Sequence, residues 1–372
     1  MKERAGLYIH FPFCAAKCPY CHFYSQPWNE ASYRTWRQGL GREAAAPREA
    51  GFEFDTLYLG GGTPSLLGPD EVVWVRELAQ AHFPLKIEEF TLEANPGASG
   101  TDIFGGWREA GVTRLSVGVQ SFDDAVLRTL GRPCTAEEAL SFCRAGRAAG
   151  FEVLAIDLMI GVPGETPAAV ERSLDTALGL EPDHVSVYIL ENVEGLPFEE
   201  VLVRHPVDED AVVDAYDRTR DALDAAGLRQ YEISNFARPG KECRHNLKYW
   251  RYEPFVGLGP SAGSHLPGRR WRNKTSLDDW SRALSRGETA REDVVELSPV
   301  KAVREALIFG LRLVEGVDLG AFTERFKVDV RALFGREIDE LVDEGLLVCE
   351  AGRISIPRSG FLTSNAVLSR FA

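Results

Sequence analysis

The sequence lacks any long apolar segment. No stretch of about 18 consecutive apolar residues, the length that spans a bilayer, occurs in its 372 residues. The apolar run that precedes His10 is too short for the apolar region of a signal peptide, and no small-residue cleavage site follows it. We therefore expect a cytoplasmic protein with no transmembrane segment.

Positive charge is also scarce. The chain carries 42 Lys and Arg against 56 Asp and Glu, which gives a formal net charge of -14 at pH 7. This balance argues against the broad basic surface with which proteins bind nucleic acid. With 44% hydrophobic residues the chain can bury a large core. At about 100–200 residues per domain, we expect two domains, or one large domain with an appendage.

Cysteine is infrequent and unevenly distributed. The chain has seven, an odd number, and disulfides are uncommon in a reducing compartment. Four are scattered and are interpreted as ordinary small apolar residues: Cys134, Cys143, Cys243 and Cys349. The other three, Cys14, Cys18 and Cys21, are spaced C-x3-C-x2-C directly after the first expected strand. Such clustering indicates a chemical role.

Thiolates are the preferred ligands of iron–sulfur clusters. Three of them can hold three irons of a [4Fe-4S] cluster and leave the fourth iron open, as catalytic metal sites do. The amine and carboxylate of a methionine moiety could chelate that iron. Two other interpretations stay open. A structural zinc site could recruit His10 or His22, although paired C-x2-C knuckles are missing. Alternatively, the three cysteines are core residues that lie close together by coincidence, although a loop that contains Pro and Lys is a poor hydrophobic core.

Short apolar, β-rich segments alternate with helical patterns at a spacing of roughly 30 residues, which is typical of βαβ units and a parallel sheet. Six strands are too few for a full eight-stranded barrel. We expect an α/β fold, an incomplete parallel (β/α)6-type barrel or an open sheet. The expected strands cover 7–10, 56–59, 90–94, 114–119, 153–157 and 185–190, and the clearest helices cover 33–46, 70–81, 136–149 and 168–178.

The rest of the chain carries different patterns. A helix is expected over 206–227 and a strand over 230–233, and Gly, Pro, His and aromatic residues over 236–266 indicate a structured loop region. Farther on, helices, one with Asp318 as its N-cap, and a hairpin near 346–356 resemble a small winged-helix-like α+β module. We therefore divide the chain into a partial barrel, an aromatic and Gly-rich segment that closes the site, and a C-terminal domain: 1–235, 236–297 and 298–372.

Further motifs accompany the cysteines, and most begin near the C-terminal end of an expected strand, where parallel barrels build their active sites. They are Leu59-Gly-Gly-Gly62-Thr-Pro-Ser65, Leu92-Glu93-Ala-Asn95-Pro-Gly97, Ser116-Val-Gly-Val-Gln120-Ser-Phe122, Leu130-Gly-Arg132 and Asp157-Leu-Met-Ile-Gly161-Val-Pro-Gly164. Together with the cysteine spacing they resemble the radical S-adenosylmethionine (SAM) family, in its HemN/HemW branch. The likeness runs from about residue 6 to residue 370, and a HemN-type C-terminal domain is part of it.

The resemblance implies a [4Fe-4S] cluster on the three clustered cysteines, with SAM beside it. The positions that match SAM-binding residues of the family are Tyr8, Gly62, Thr63, Glu93, Gln120, Arg132 and Asp157. Carboxylates can pair with the sulfonium or amino group of SAM, and a guanidinium with its carboxylate. The alternative for each is structural, as a tight turn for the glycines or an ion pair for the charged residues.

Two features indicate which kind of member this is. Decarboxylating members, the oxygen-independent coproporphyrinogen III dehydrogenases, add a fourth cysteine where Phe23 stands here. The run His245-Asn-Leu-Lys-Tyr-Trp250 matches the H-N-x-x-Y-W motif of the haem chaperones. The resemblance thus implies a haem chaperone, with His245 as candidate axial ligand and aromatic residues stacking on the macrocycle. Alternatively, His245 and Trp250 brace the loop region against the barrel.

The implied partners are haem or another tetrapyrrole, an apo-cytochrome or a membrane respiratory complex as haem acceptor, and an electron donor. Two enzymatic functions stay open, so the sequence does not decide whether the protein cleaves SAM as an enzyme. One is a radical enzyme that abstracts hydrogen from a tetrapyrrole propionate, against which Phe23 argues. The other is a methylase or cyclopropanase that uses two SAM molecules and need not keep the H-N-x-x-Y-W motif. The intact cysteines argue against a vestigial cluster.

Overall fold

A computed structural model describes residues 2–46 and 51–372. Its main feature is a twelve-stranded sheet with six consecutive parallel strands at its centre. We refer to these as the first to sixth barrel strands: Glu3–Phe11, Phe52–Gly61, Leu85–Ala94, Arg114–Gln120, Val153–Ile160 and His184–Ile189. Each contains an expected strand to within one residue. The predicted α/β fold with six parallel units is confirmed.

Helices follow the barrel strands: Glu30–Ala45, Pro69–His82, Phe104–Glu109, Asp124–Thr129, Ala136–Ala149, Pro167–Leu178, Glu199–Arg204 and Glu209–Ala225. Side-chain caps fix where several of them start, because the first backbone N–H groups of a helix have no partner within it. Thr135 and Glu138 form a reciprocal capping box, and Asp208 caps the last helix. Because of this cap, the helix predicted over 206–227 begins three residues later than expected, at Glu209.

Side chains alternate between the two faces of each barrel strand. Along the first strand, Leu7, Ile9 and Phe11 are fully buried in the main core. Tyr8 and His10 face the other side, the interior of the barrel, where the Tyr8 ring lies near those of Tyr58 and His245. The interior therefore collects the polar side chains of neighbouring strands at matching heights.

Residues 236–266 are more regular than the predicted loop region, so that prediction is wrong. The segment and its continuation form the strands Asn235–Ala237, Phe255–Leu258, Gly263–Leu266, Arg269–Asn273 and Arg291–Glu296 and the helices Arg244–Trp250 and Leu277–Ser285. Phe255–Leu258 pairs in parallel with the first barrel strand. Short strands rich in Gly and Pro have weak local preference, and here the edge of the barrel supplies their hydrogen-bond partners.

The strand predicted over 230–233 is also wrong. The chain pairs instead at Arg229–Gln230 and Asn235–Ala237, and the latter is antiparallel to the sixth barrel strand. Between them the backbone turns toward the C-terminal module, with Glu232 opposite Leu313. A contact distant in sequence therefore overrides the local β pattern.

The C-terminal module has its own buried core. Its helices are Pro299–Gly310, Leu319–Phe326, Val330–Asp343 and Ser364–Leu368, and its sheet is formed by Val317–Asp318, Val348–Glu350 and Arg353–Ser355. Asp318 caps the second helix as predicted, accepting from Ala321 N at 2.8 Å. The α+β prediction is confirmed. Within the described ranges, none of the helices is long and apolar enough to span a bilayer.

Candidate cofactor site

The cysteine loop leaves the C-terminal end of the first barrel strand. Its base is closed by backbone hydrogen bonds, Gln26 N to Pro12 O at 2.8 Å and Trp28 N to Cys14 O at 3.0 Å. Cys14 is buried, and Cys18 and Cys21 are half-buried. Burial and the nearby thiols raise the pKa of the Cys21 thiol, so the thiol keeps its proton until a metal replaces it.

The loop thus presents three thiols on one short segment at the mouth of the barrel. Across residues 2–46 and 51–372, no three Cys, His, Asp or Glu side chains come together as ligands of a single metal ion. A [4Fe-4S] cluster makes a different demand, because each thiolate binds its own iron. The donor set, three sulfurs and no carboxylate, suits iron–sulfur chemistry.

Arg132 lies between the cysteine loop and the barrel interior. Its guanidinium donates to Cys18 Sγ at 3.6 Å, to Asn95 Oδ1 at 3.0 Å and to the carbonyl of Gly118. Its Nε is buried without a hydrogen-bond partner, and it makes no salt bridge within the described part of the chain. A buried N–H without an acceptor, on a cation without a counter-ion, fits an anionic group such as a carboxylate.

Glu93 projects from the third barrel strand. Tyr58 donates a hydrogen bond to Glu93 Oε1 at 2.7 Å, and the backbone N–H of Gly61 donates to Oε2 at 2.9 Å. Burial nevertheless raises the pKa of the Glu93 carboxyl, with these hydrogen bonds acting in the opposite direction. A buried carboxylate with incomplete compensation gains from a nearby positive charge. Glu93 therefore suits a cationic group.

Close packing within the protein explains the glycines of the Gly60-Gly-Gly62 run. A Cβ on Gly61, whose φ is +113°, would lie 2.5 Å from the His10 ring, and one on Gly62 would lie 2.4 Å from Phe13 O. The absence of Cβ atoms lets this strand end press against the cysteine loop, where Thr63 N donates to Phe13 O at 2.7 Å. Contact of Gly62 and Thr63 with SAM stays a prediction.

Asp157 completes the interior face. Ser186 donates to its Oδ1 at 2.6 Å. Burial raises the pKa of Asp157 to about 7, and the nearby Glu93 acts in the same direction. Two carboxyl groups thus share one buried region, where a positive ligand would favour ionisation of both.

Gln120 sits in a strained conformation at the end of the fourth barrel strand. Its φ is +71°, a left-handed value that is uncommon for residues other than glycine. Its Oε1 is buried and has no hydrogen-bond partner. Strain and an orphaned acceptor in one residue are typical of a ligand-binding position.

Tyr8 and His10 form a fixed pair. The Tyr8 hydroxyl lies 2.9 Å from His10 Nδ1, and His10 Nε2 lies 2.9 Å from Tyr24 O. Because a carbonyl only accepts, Nε2 carries the proton and Nδ1 accepts from the tyrosine. Burial lowers the pKa of His10 to about 4, so the ring is neutral. His10 thereby sets the direction of the Tyr8 hydroxyl.

His245 lies deep in the molecule, with 0% of its surface exposed. Its Nδ1 is 2.8 Å from Thr56 Oγ1, and its Nε2 is 2.8 Å from the Tyr249 hydroxyl. Burial and Lys248 lower its pKa to about 3. Both ring nitrogens are therefore engaged within the protein, an arrangement that favours the bracing role over haem ligation.

Glu89 seats the helix that carries His245. Its carboxylate accepts from His245 N at 3.1 Å, from Arg244 N at 3.3 Å and from Arg114 Nε at 3.0 Å. Arg114 in turn donates to the carbonyls of Lys241 and Glu242 just before that helix. A buried ion pair thus caps the helix and attaches it to the barrel.

Sequence analysis missed three residues that hold the predicted ones in place: Tyr58, Asn95 and Ser186. The Asn95 side chain donates to Thr63 Oγ1 at 3.1 Å and accepts from Arg132. Asn95 lies inside a recognised motif, so its position was a usable signal. Tyr58 and Ser186 follow from strand alternation only once the exact strand bounds are known.

Comparison with known proteins agrees with this geometry. Residues 8–177 match the Radical SAM superfamily, and residues 297–363 match the HemN C-terminal domain. The Heme chaperone HemW of Lactococcus lactis is 32% identical over 100% of this chain and 98% of its own length. That of Escherichia coli is 33% identical over 98% of this chain and 97% of its own.

A mitochondrial relative and a solved structure extend the comparison. The Radical S-adenosyl methionine domain-containing protein 1 of Bos taurus is 34% identical, covering 94% of this chain and 83% of that protein. The solved structure of coproporphyrinogen III oxidase (HemN) from Escherichia coli superposes with a TM-score of 0.88. It covers 100% of this chain and 90% of that one at 22% identity, which supports the fold alone.

Proposed function

Because this chain belongs to the HemW family of radical SAM proteins, we propose that it is a haem chaperone with a [4Fe-4S] cluster and bound SAM. Family membership implies the cluster and SAM. The observation that carries the proposal is similarity to haem chaperones over nearly the whole chain. It includes the H-N-x-x-Y-W helix as well as the cysteine loop.

In this proposal Cys14, Cys18 and Cys21 bind three irons and leave the fourth for SAM. When bound, the cluster can supply an electron for reductive cleavage of SAM. The chain's own contribution is to hold SAM. Arg132 offers its unpartnered Nε–H to the SAM carboxylate, and Glu93 offers negative charge to its cationic groups.

The remaining proposed contacts surround these two. Asp157 adds a second carboxyl group, and Gln120 offers its unpartnered Oε1 to an amino or hydroxyl donor. Gly62 and Thr63 lie beside the cysteine loop, and the Tyr8 hydroxyl is oriented by His10. Each of these is a polar or Cβ-free position on the interior face or beside the cysteine loop.

We further propose that the protein acts in the cytoplasm. It receives electrons from a separate donor and passes haem to an apo-cytochrome or to a respiratory complex at the membrane. The coproporphyrinogen dehydrogenase alternative is not favoured, because Phe23, 56% exposed, occupies the place of the fourth cysteine. The two-SAM methylase alternative has no observation of its own in its favour.

The role of His245 in haem binding has two versions. As an axial ligand it would have to give up a hydrogen bond, that to Tyr249 or that to Thr56. As a brace it keeps both and holds the H-N-x-x-Y-W helix against the barrel. Its full burial supports the second version, in which another group ligates the haem iron.

The test is a hemin titration of the anaerobically reconstituted protein, followed by gel filtration and the Soret spectrum. Stoichiometric co-elution of haem, and its transfer to a b-type apo-cytochrome, are expected. Absence of haem from the eluted protein would refute the chaperone function, and SAM cleavage with coproporphyrinogen III would then be measured instead.

Two variants separate the versions of His245. Tyr249→Phe frees Nε2, so it tightens haem binding if His245 is the ligand and loosens it if His245 is a brace. His245→Ala shifts the Soret band only if the imidazole ligates iron. His205→Ala, at an exposed position, is the matched control.

A further inference from the structure

Four polar side chains meet where the barrel, the H-N-x-x-Y-W helix and the C-terminal module join. We call them the junction cluster: Glu232, Asn235, Trp250 and Arg312. The Arg312 guanidinium lies over the Trp250 ring, 4.7 Å from its centroid. Glu232 lies close to Asn235 and within electrostatic reach of Arg312. The backbone fixes this meeting, with Val314 N donating to Tyr231 O at 3.0 Å.

Each member of the junction cluster has a buried polar atom without a hydrogen-bond partner. The atoms are Glu232 Oε1, Asn235 Oδ1, Trp250 Nε1 and Arg312 Nε. Glu232 is 1% exposed and Asn235 is 4% exposed. Buried polar atoms in folded proteins are almost always paired, and isolated exceptions need a reason. Two donors and two acceptors left open in one place indicate a hydrogen-bonding site for a ligand.

One member of the junction cluster, Asn235, lies on the same interior face as the proposed SAM residues. Asn235 is directly opposite Ser186 in an antiparallel pair, so the two side chains share a face. Ser186 is the residue that donates to Asp157. Tyr188, two residues farther along the sixth barrel strand, is 40% exposed and within electrostatic reach of both Asp157 and Glu232. Its exposure shows that this part of the face is accessible.

The charge of the junction cluster favours an anion. Arg312 forms no salt bridge with any residue that the structure describes. Burial raises the pKa of Glu232 to about 7, against the effect of Arg312, so near neutral pH this carboxyl is only partly ionised and compensates the guanidinium charge only in part. Two N–H donors, one of them charged, match the oxygens of a carboxylate.

We propose that the junction cluster binds a carboxylate side chain of the tetrapyrrole, with Arg312 Nε and Trp250 Nε1 as donors. This inference rests on the proposed haem binding and names the part of haem that the chain recognises. Haem is an apolar disc with two propionates. A propionate drawn into a buried interior needs a counter-charge there, and Arg312 is a cation without a salt bridge among the described residues and is not among the proposed SAM contacts.

The test compares hemin with hemin dimethyl ester, in which both carboxylates are masked, on the full-length reconstituted protein. Wild type is expected to bind hemin at least tenfold more tightly than the ester. Arg312→Gln is expected to bind the two ligands equally, through a selective tenfold loss for hemin. Arg336→Gln, which alters an exposed arginine of the same module, is expected to match wild type. Trp250→Phe keeps an aromatic ring at this position, removes the indole N–H and should give a smaller selective loss of about threefold.

The ester separates recognition from structural damage. Arg312→Gln with unchanged hemin affinity, or with equal losses for hemin and ester, overturns the proposal while leaving the chaperone function intact. Equal affinity of wild type for both ligands overturns it as well, and means that the open atoms of the junction cluster hold water. If Arg312→Gln does not fold, Trp250→Phe decides by the same comparison. Binding of neither ligand by wild type refutes the chaperone function and this inference together.

Discussion

The Tyr58 hydroxyl donates a 2.7 Å hydrogen bond to Glu93 Oε1, which joins the neighbouring second and third barrel strands on their interior face. The bond places one oxygen of the carboxyl, while Gly61 N places the other. With both oxygens held, Glu93 cannot rotate away from the position where the SAM cation is proposed to lie. Preorganisation of this kind lowers the entropy cost of binding.

Tyr58→Phe is therefore expected to weaken SAM binding about fivefold, because a net hydrogen bond of about 1 kcal/mol is lost. Isothermal titration of the reconstituted protein measures the change. Tyr252→Phe removes a comparable bond, to Glu305 at 2.8 Å, outside the proposed site and serves as control. Equal SAM affinities of Tyr58→Phe and wild type would contradict the role given to Glu93.

Replacing Cys14, Cys18 or Cys21 singly by Ala should abolish the cluster. Three thiolates are the minimum that leaves one iron open, so each loss removes a required ligand. Iron and sulfide per chain, with the broad visible absorbance, report the result after anaerobic reconstitution. Cys349→Ala, at an exposed site, should keep wild-type iron. Retention of full iron and sulfide by any of the three variants would refute the ligand set.

SAM affinity should rise with pH through neutrality. The pKa of Asp157 is raised to about 7, so the free protein carries a neutral carboxyl below that pH and a carboxylate above it. A cationic ligand pairs with the carboxylate, and its binding releases the proton. From pH 6 to pH 8 the ionised fraction grows roughly tenfold, and affinity should follow by up to that factor.

Asp157→Asn cannot ionise and should flatten this pH profile. Titrations at several pH values between 6 and 8 compare the two proteins directly. If SAM affinity depends on pH as steeply in the variant as in wild type, the dependence does not come from Asp157. It would then be attributed to Glu93, the neighbouring carboxyl whose pKa is also raised.

Glu89→Gln should destabilise the protein by about 3–5 kcal/mol, since it leaves the buried guanidinium of Arg114 without its partner. The adjacent Glu88→Gln offers a matched control. Glu88 pairs at the surface with Arg4 at 2.9 Å and with the exposed side chain of Arg244 at the start of the same helix, and loss of these solvent-screened pairs should cost only about 0–1 kcal/mol. Urea unfolding measures both. Similar free energies of unfolding for the two variants would show that Glu89 does not anchor the H-N-x-x-Y-W helix.

The barrel was predictable because its strands are short apolar runs between helical patterns, a signal that depends only on neighbouring residues. The motifs at the C-terminal ends of those strands also indicated where the proposed site lies. The Phe255–Leu258 strand escaped prediction because its partner, the first barrel strand, lies about 250 residues earlier in the chain, and its own sequence is too short to show a period.

Partners within the site were less accessible to sequence than its members. Glu89 and His245 are 156 residues apart, and nothing local to either indicates that one caps the helix of the other. Likewise, the H-N-x-x-Y-W motif identifies His245 as important without revealing that both its nitrogens are occupied. Strand register and burial determine which side chains form these hydrogen bonds, and both depend on the completed fold.

The first barrel strand has a neighbour on each side, Phe52–Gly61 on one and Phe255–Leu258 on the other. The cysteine loop therefore leaves the middle of the sheet, and backbone hydrogen bonds within the protein close its base. Oxygen or a chelator that strips the metal would take away the cofactor and leave the scaffold standing. Repair then requires only that a new cluster be inserted into the folded protein, which costs a cell less than synthesising the chain again.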